Sequence, residues 1–280
     1  MGNDPGTLYV VATPIGNLDD LSPRAQRLLA EAGMVAAEDT RHTSVLLNHF
    51  GIHKPLISLH EHNENKKIAS LVEKLLQGVS IALVSDAGTP LISDPGFNLV
   101  RAARDAGIRV IPVPGACALI AALSASGLPT DRFVFEGFLP AKSTARRKRL
   151  AELATETRTL VFYESVHRLA QSLADMAVAI GAARQAVVAR ELTKLHEELR
   201  AGSLEELACW AKTAPEARMG EVVILLRGAP TAAQTWQADA VLRPLLELMP
   251  VRQAAEIAAR ITGLSKNELY QRALQLAGRR

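Results

Sequence analysis

Short apolar runs alternate with amphipathic stretches along most of this chain. Residues 7–13 (TLYVVAT) suit a buried strand and stop at the polar loop PIGN. Ser22 and Pro23 carry the N-cap and first-turn signature of a helix that Gly33 closes. Residues 34–37 and 56–59 predict two more short strands, the first ending at Glu38-Asp39-Thr40-Arg41-His42. Ile68, Leu71, Val72, Leu75 and Leu76 share one face of a helix over 64–77. A strand over 81–84, a helix ending at Gly107 and a strand over 110–113 follow. Strands separated by helices of this length imply βαβ units and a mostly parallel sheet.

Pro114 then breaks the strand, and Gly115 opens a small-residue helix, ACALIAALSASG, that reads as a hinge. Beyond it, strands are predicted near 133–137, 159–163, 186–190 and 221–226, with helices near 144–154, 166–180 and 203–211. Ser203 and Glu206 have capping-box spacing. From about 235 onward the pattern is purely helical, broken by Gly263 and restarted by a second capping-box pair, Ser265 and Glu268. The chain therefore divides into an α/β domain over 1–114, a second over 115–230 and a small helical appendage over 231–280. The appendage resembles a helix–turn–helix pair, which serves either as a helical cap or as a nucleic-acid contact.

Composition narrows the setting. With 280 residues, 48% of them hydrophobic, the chain can build two ordinary cores. No apolar run approaches eighteen residues, so no membrane span is expected. The N-terminus lacks the basic-then-apolar pattern of a secretory signal, and the two distant cysteines, Cys117 and Cys209, fit a reduced cytoplasmic setting. His60 and His62 lie in HEHNEN, but a polar loop accounts for them, and no metal is expected. The net charge of +3 resides in the tail: seven Lys/Arg against four Asp/Glu from residue 230 onward, with 25 against 25 before it. Within the balanced part, Lys142, Arg146, Arg147, Lys148 and Arg149 form a basic run with no acid nearby in sequence. Such a run is either a solvated helix face or a phosphate-contacting patch.

The most informative loop is SDAGTPLISDPG, directly after the strand at 81–84. In open α/β sheets ligands bind beyond the carboxyl ends of strands, and small residues let backbone approach them. A phosphate cradle wants N–H groups and a Lys, not Asp86 and Asp94. Carboxylates suit a ligand that is cationic or rich in hydroxyl and amino donors. S-adenosylmethionine (AdoMet) has a sulfonium, an ammonium and a ribose diol. An ordinary Asp/Pro/Gly turn has the same composition. Other strand ends add TPIGNLDDLS, FEGFLP, FYESVHR (Tyr163, Glu164, His167, Arg168) and ARELTKLHEE (Arg190, Glu191, Lys194, Glu197).

In their order, TPIGNLDDLS, AEDTRHT, SDAGTPLISDPG, VPGACA, FEGFLP, YESVHR and RELTKLHEE closely resemble the tetrapyrrole-methylase family over residues 7–228. Within it they are similar to the branch that 2′-O-methylates cytidine 1402, in the decoding centre of 16S ribosomal RNA. Porphyrin-modifying members typically carry a GDP-type loop where this chain has AGTP. Val166 and Ala116 depart from the family's preference for Pro or a Pro-type residue, which bears on loop stiffness. The resemblance implies a two-domain tetrapyrrole-methylase-like fold, AdoMet as methyl donor, a homodimer, and the small ribosomal subunit as partner. It implies that Pro14, Gly88, Thr89, Pro90, Ile92, Cys117, Ala118 and Tyr163 line AdoMet. Asp86 and Asp94 either join them or brace the loop.

Glu164 or Glu191 is then the expected acceptor of the hydroxyl proton, with His167 a further candidate and Arg190 or Lys194 easing its departure. The alternative is that Glu164 and Glu191 pair with Arg168 and Arg190 and only shape the site. RNA contacts are expected from the 142–149 run with Arg41, His42 and Arg168. The competing functions are a tetrapyrrole or small-molecule methyltransferase and a non-catalytic AdoMet-binding module.

Overall fold

A computed structural model describes residues 4–60, 63–230 and 232–277; His62 lies outside them. The chain groups into two compact units. One runs to Ala121 and takes in Glu191–Glu197; the other holds Ala122–Arg190 and continues from Glu198 through the helical tail.

The first unit is a five-stranded, all-parallel sheet. Its strands are β1 (Thr7–Val11), β2 (Met34–Ala37), β3 (Leu56–Ser58), β4 (Ile81–Val84) and β5 (Arg109–Val113), in the order β3-β2-β4-β1-β5. Helices α1 (Pro23–Glu31) and α2 (Thr40–His49) cover one face, packing Leu28, Leu29 and Leu47 on Val11, Val35 and Val84. Helices α3 (Glu64–Leu76) and α4 (Phe97–Asp105) cover the other, packing Leu71, Leu75 and Leu99 on Leu8, Ile81 and Leu83. The Ser22 side chain caps α1 by accepting the Ala25 N–H at 3.1 Å, a contact worth about 1 kcal/mol. Helix α2 begins where the sequence predicted loop: Asp39 caps it and Thr43 and Leu47 are buried. The small-residue helix α5 (Ala118–Ala125) starts three residues later than Gly115.

The second unit's sheet is mixed, unlike the mostly parallel sheet read from the strands up to residue 113. It contains β6 (Phe133–Phe138), β7 (Thr159–Ser165), β8 (Gln185–Arg190), β9 (Glu198–Ser203) and β10 (Glu221–Leu226), in the order β6-β7-β10-β8-β9. Only β6 and β7 pair in parallel; β10 runs against both β7 and β8, and β9 runs against β8. Helices α6 (Ser143–Glu152), α7 (Val166–Ile180) and α8 (Leu204–Thr213) bury Leu150, Leu173, Met176 and Leu207 on Leu160, Phe162, Val188 and Ile224. Both halves of the Ser203–Glu206 capping box form. The tail is three helices, α9 (Ala232–Leu248), α10 (Val251–Thr262) and α11 (Lys266–Ala277), around Leu242, Ala258 and Leu269. Gly263 ends α10 in the left-handed conformation at φ 70°.

Candidate functional site

In the first unit β1 and β4 lie side by side, yet the helices that follow them pack on opposite faces. Such a divergence opens a crevice outside the carboxyl ends of the strands. The loops there are pinned to one another. Thr13 and Gly88 exchange backbone hydrogen bonds, at 2.8 Å from Thr13 N–H and 3.1 Å from Gly88 N–H. The Thr13 hydroxyl also donates to the Ser85 carbonyl at 3.3 Å. Gly88 sits at φ +82°, and a Cβ there would come within 3.3 Å of Ile15. Thr89 donates its hydroxyl to the Ala116 carbonyl at 3.0 Å, tying the loop to the residues just before α5. Leu91 and Ser93 both have positive φ, 73° and 69°, an unusual density of left-handed residues that are not glycine.

The two loop aspartates behave differently. Asp86 accepts the Asp39 N–H at 2.9 Å, bracing the loop that precedes α2. For Asp94, burial raises the pKa and the nearby Asp86 charge adds to it, against a lowering hydrogen bond from Ser85; the net shift is upward. Pro90 is buried, while Pro14, Ile92, Cys117 and Ala118 are partly accessible in the same unit. Arg41 is folded onto its own helix cap: its Nη2 donates to Asp39 at 2.7 Å, and that hydrogen bond drives the Asp39 carboxyl far below its usual range. Arg41 and His42 are exposed.

Glu191–Glu197 also belongs to this unit. The Lys194 stem lies on Gly16, where a Cβ would meet it at 2.4 Å. Lys194 Nζ donates to Glu191 Oε1 at 2.9 Å, and Glu191 itself sits at φ 51°. The loop thus brings an acid–cation pair to the residues following β1. The alternative pairing of Glu191 with Arg190 is not seen; Arg190 is buried beside Glu198, at 3.5 Å.

In the second unit Glu164 is fully enclosed. It accepts the Ser165 N–H at 2.8 Å and the Ser172 hydroxyl, and it pairs with Arg168 at 3.2 Å. Those bonds occupy its oxygens, so the geometry supports the structural reading of this residue. His167 is exposed on the first turn of α7, and Tyr163 packs between the rings of Phe135 and Phe138.

The basic run needs correction. Arg146 is 2% exposed and bonded to Asp175, which is itself fully buried, so it cannot meet a phosphate from solvent. Arg147 donates to the same carboxylate at 2.6 Å, while Arg149 is held by Glu136 and Glu152. Burial works against the Asp175 carboxylate, but hydrogen bonds from Arg147, Ser143 and Arg146 outweigh it and hold its pKa low. Arg168 donates to the Leu139 carbonyl at 2.6 Å and Arg146 to those of Pro140 and Ala141. Within the 142–149 run, Lys142 and Lys148 are the exposed cations without an ion pair among the described residues.

Asp175, Ser172 and Glu136 escaped the sequence reading because their partners lie 8 to 32 residues away. Asp175 carried one signal, an acid on the apolar face of the 166–180 helix. Among the described residues, no group of three His, Cys, Asp or Glu is arranged to hold a metal, and no helix is long and apolar enough to cross a membrane.

Residues 7–208 match the family model for tetrapyrrole (corrin/porphyrin) methylases, and residues 232–277 match that of the RsmI C-terminal HTH domain. Curated relatives named ribosomal RNA small subunit methyltransferase I align nearly end to end. The Pseudomonas aeruginosa protein is 56% identical, over 98% of this chain and 99% of its own. The Escherichia coli O157:H7 protein is 52% identical, over 99% and 97%. Among solved structures, a uroporphyrin-III C-methyltransferase from Thermus thermophilus, complexed with S-adenosylhomocysteine, superposes with a TM-score of 0.55 at 21% identity, over 79% of this chain and 97% of that one. A conserved hypothetical protein from Aeropyrum pernix K1 superposes with a TM-score of 0.63 at 17% identity, over 99% and 98%. The carboxyl-edge loops and the two-sheet fold that carries them thus have their counterpart in one lineage: the chain belongs to the tetrapyrrole methylase family, in its ribosomal RNA small subunit methyltransferase I branch.

Proposed function

We propose that this protein is an AdoMet-dependent methyltransferase of small-subunit ribosomal RNA, acting on the ribose 2′-hydroxyl of a decoding-centre cytidine in the assembled subunit. The observation that carries the reading is its near end-to-end likeness, at 56% identity, to a protein named for that class of activity. AdoMet fits the carboxyl-edge loop by the chemistry of the groups there. Asp94, disfavoured as an anion by burial and by Asp86, gains from a cationic neighbour. Gly88, Thr89, Pro90, Ile92, Pro14, Cys117 and Ala118 would hold the cofactor, with Asp86 fixing the loop's shape. Tyr163 was expected beside them and stays part of the proposal.

When bound, AdoMet supplies a methyl group on a sulfonium, for in-line transfer to an oxygen. The chain's part is to place that oxygen and take its proton, and positioning supplies much of the rate. Glu191 is the proposed proton acceptor, with the Lys194 ammonium favouring the ionised hydroxyl. The reading favours Glu191 over Glu164 because Glu164 is sealed among Ser165, Ser172 and Arg168. RNA contacts are assigned to Lys142, Arg147, Lys148, Arg41 and His42. The protein is proposed to act in the cytoplasm as a homodimer, which sedimentation would check.

The test is transfer of labelled methyl from AdoMet to small subunits lacking the modification, against naked 16S RNA, followed by mapping of the labelled nucleotide. Label at a decoding-centre ribose, faster on subunits, is expected. Label on a base, on a tetrapyrrole or nowhere overturns the proposal. Glu191→Gln should slow single-turnover transfer by about 100-fold.

A further inference from the structure

The strand β6 is interrupted by a bulge. Phe135 is in register with Val161, but Gly137 is in register with Phe162 and Phe138 with Tyr163, so Glu136 is the extra residue. Without it, Phe138 would sit opposite Glu164, on the face that packs against α7. The bulge puts Phe138 and Phe135 on the same face as Tyr163. The rings follow suit: Phe135 and Tyr163 meet edge-on at 4.8 Å between centroids, and Phe138 and Tyr163 at 5.8 Å. Phe138 ends the row 57% exposed. Bulges re-aim side chains in this way, often beside functional sites.

The chain immediately after Phe138 is clamped. Carbonyls of residues 139–141 accept hydrogen bonds from Arg168 and Arg146, and each arginine is locked by a buried carboxylate, Glu164 or Asp175. Lys142 follows, exposed, at the cap of α6, and Lys148 is exposed on the same helix. An apolar ring is therefore held out in solvent, with Lys142 four residues on and Lys148 ten residues on, both exposed and without an ion pair among the described residues.

We propose that Phe138 is a stacking platform for an unpaired base of single-stranded RNA, with Lys142 and Lys148 meeting the adjoining phosphates. This rests on the RNA-methylation reading above. An aromatic face takes any base, and cations beside it follow the backbone. A second copy of this chain is the poorer occupant: a two-fold interface sets a patch against itself, here cation against cation.

The experiment compares wild type, Phe138→Leu and Phe138→Trp on small subunits. It reads KM for subunits, kcat, AdoMet affinity by calorimetry, thermal midpoint, and oligomeric state by sedimentation. Phe138→Leu should raise KM for subunits about tenfold, leaving kcat within about twofold and AdoMet affinity unchanged. Phe138→Trp, which keeps a π-face, should restore KM. A wild-type KM for Phe138→Leu overturns the platform, as does a Phe138→Trp no better than Phe138→Leu, or a change of oligomeric state or thermal midpoint that accounts for the loss. These results leave RNA methylation standing if wild type still labels subunits. If wild type labels no RNA, the functional reading fails, and the platform with it.

Discussion

Asp94 and Asp175 are both screened from water, and their pKa values move in opposite directions. Asp175 accepts from four side chains, Ser143, Arg146, Arg147 and Gln171, and the first three outweigh its burial; Asp94 has the Ser85 hydrogen bond and an acid beside it. A carboxyl whose folded pKa is raised holds its proton longer than in the unfolded chain, so ionising it costs stability as pH rises through the window above 3.8. A bound cation relieves that cost. AdoMet affinity should therefore fall as pH drops from about 7 toward about 4, and Asp94→Asn should both weaken binding at neutral pH and flatten the profile. Calorimetric titration across the range checks both. Single residues were also where sequence misled most. Arg146 and Lys148 look alike in a basic run, but one turns inward to an acid 29 residues away and the other faces solvent. No local pattern encodes that choice; it is set by how α6 packs on α7.

At the scale of elements, the bulge in β6 depends on Gly137, whose φ of 64° disfavours any side chain. Gly137→Ala should cost about 1–2 kcal/mol in chemical denaturation and, by disturbing the ring row, raise KM for subunits as Phe138→Leu does. Most elements were legible from periodicity: β2 and β4 have the predicted limits and α7 spans 166–180 as read. The missed ones had little apolar content to betray them. Helix α2, TRHTSVLLNH, buries Thr43 and Leu47 and leaves Val45 72% exposed, so its stripe is half polar. Strand β9, ELRAGS, lies at a sheet edge and needs no apolar run. Pairing direction was likewise invisible: β8 is antiparallel to both its neighbours, β10 and β9, and the loop of residues 191–197 that joins β8 to β9 carries no pattern that distinguishes a hairpin from a crossover.

For the molecule as a whole, the near-neutral charge of residues 1–229 gains meaning from the pairing of its arginines. In the 142–149 run few cations remain to release counterions, so that run should add only modestly to the salt dependence of binding. Each phosphate neutralised on single-stranded RNA contributes about −0.7 to the slope of log affinity against log salt. Lys142→Ala with Lys148→Ala should make that slope shallower by about 1.4, measured by filter binding of subunits, whereas Arg146→Lys should leave it unchanged. The architecture as two α/β units with a helical tail could be anticipated from alternating strands and helices. That residues 191–197 belong with the first unit could not, because nothing in RELTKLHEE distinguishes a loop kept by its own domain from one lent to another.

That loan sets an order on synthesis. The sheet of the first unit has all five strands once residue 113 has been made, yet Gly16 waits for Lys194, some 180 residues downstream. During translation the first unit can collapse early around its own core, but its Glu191–Lys194 corner is assembled only after β8 has been made. Cleavage after Ala121 would separate the first unit's sheet from the chain that carries its Glu191–Lys194 pair.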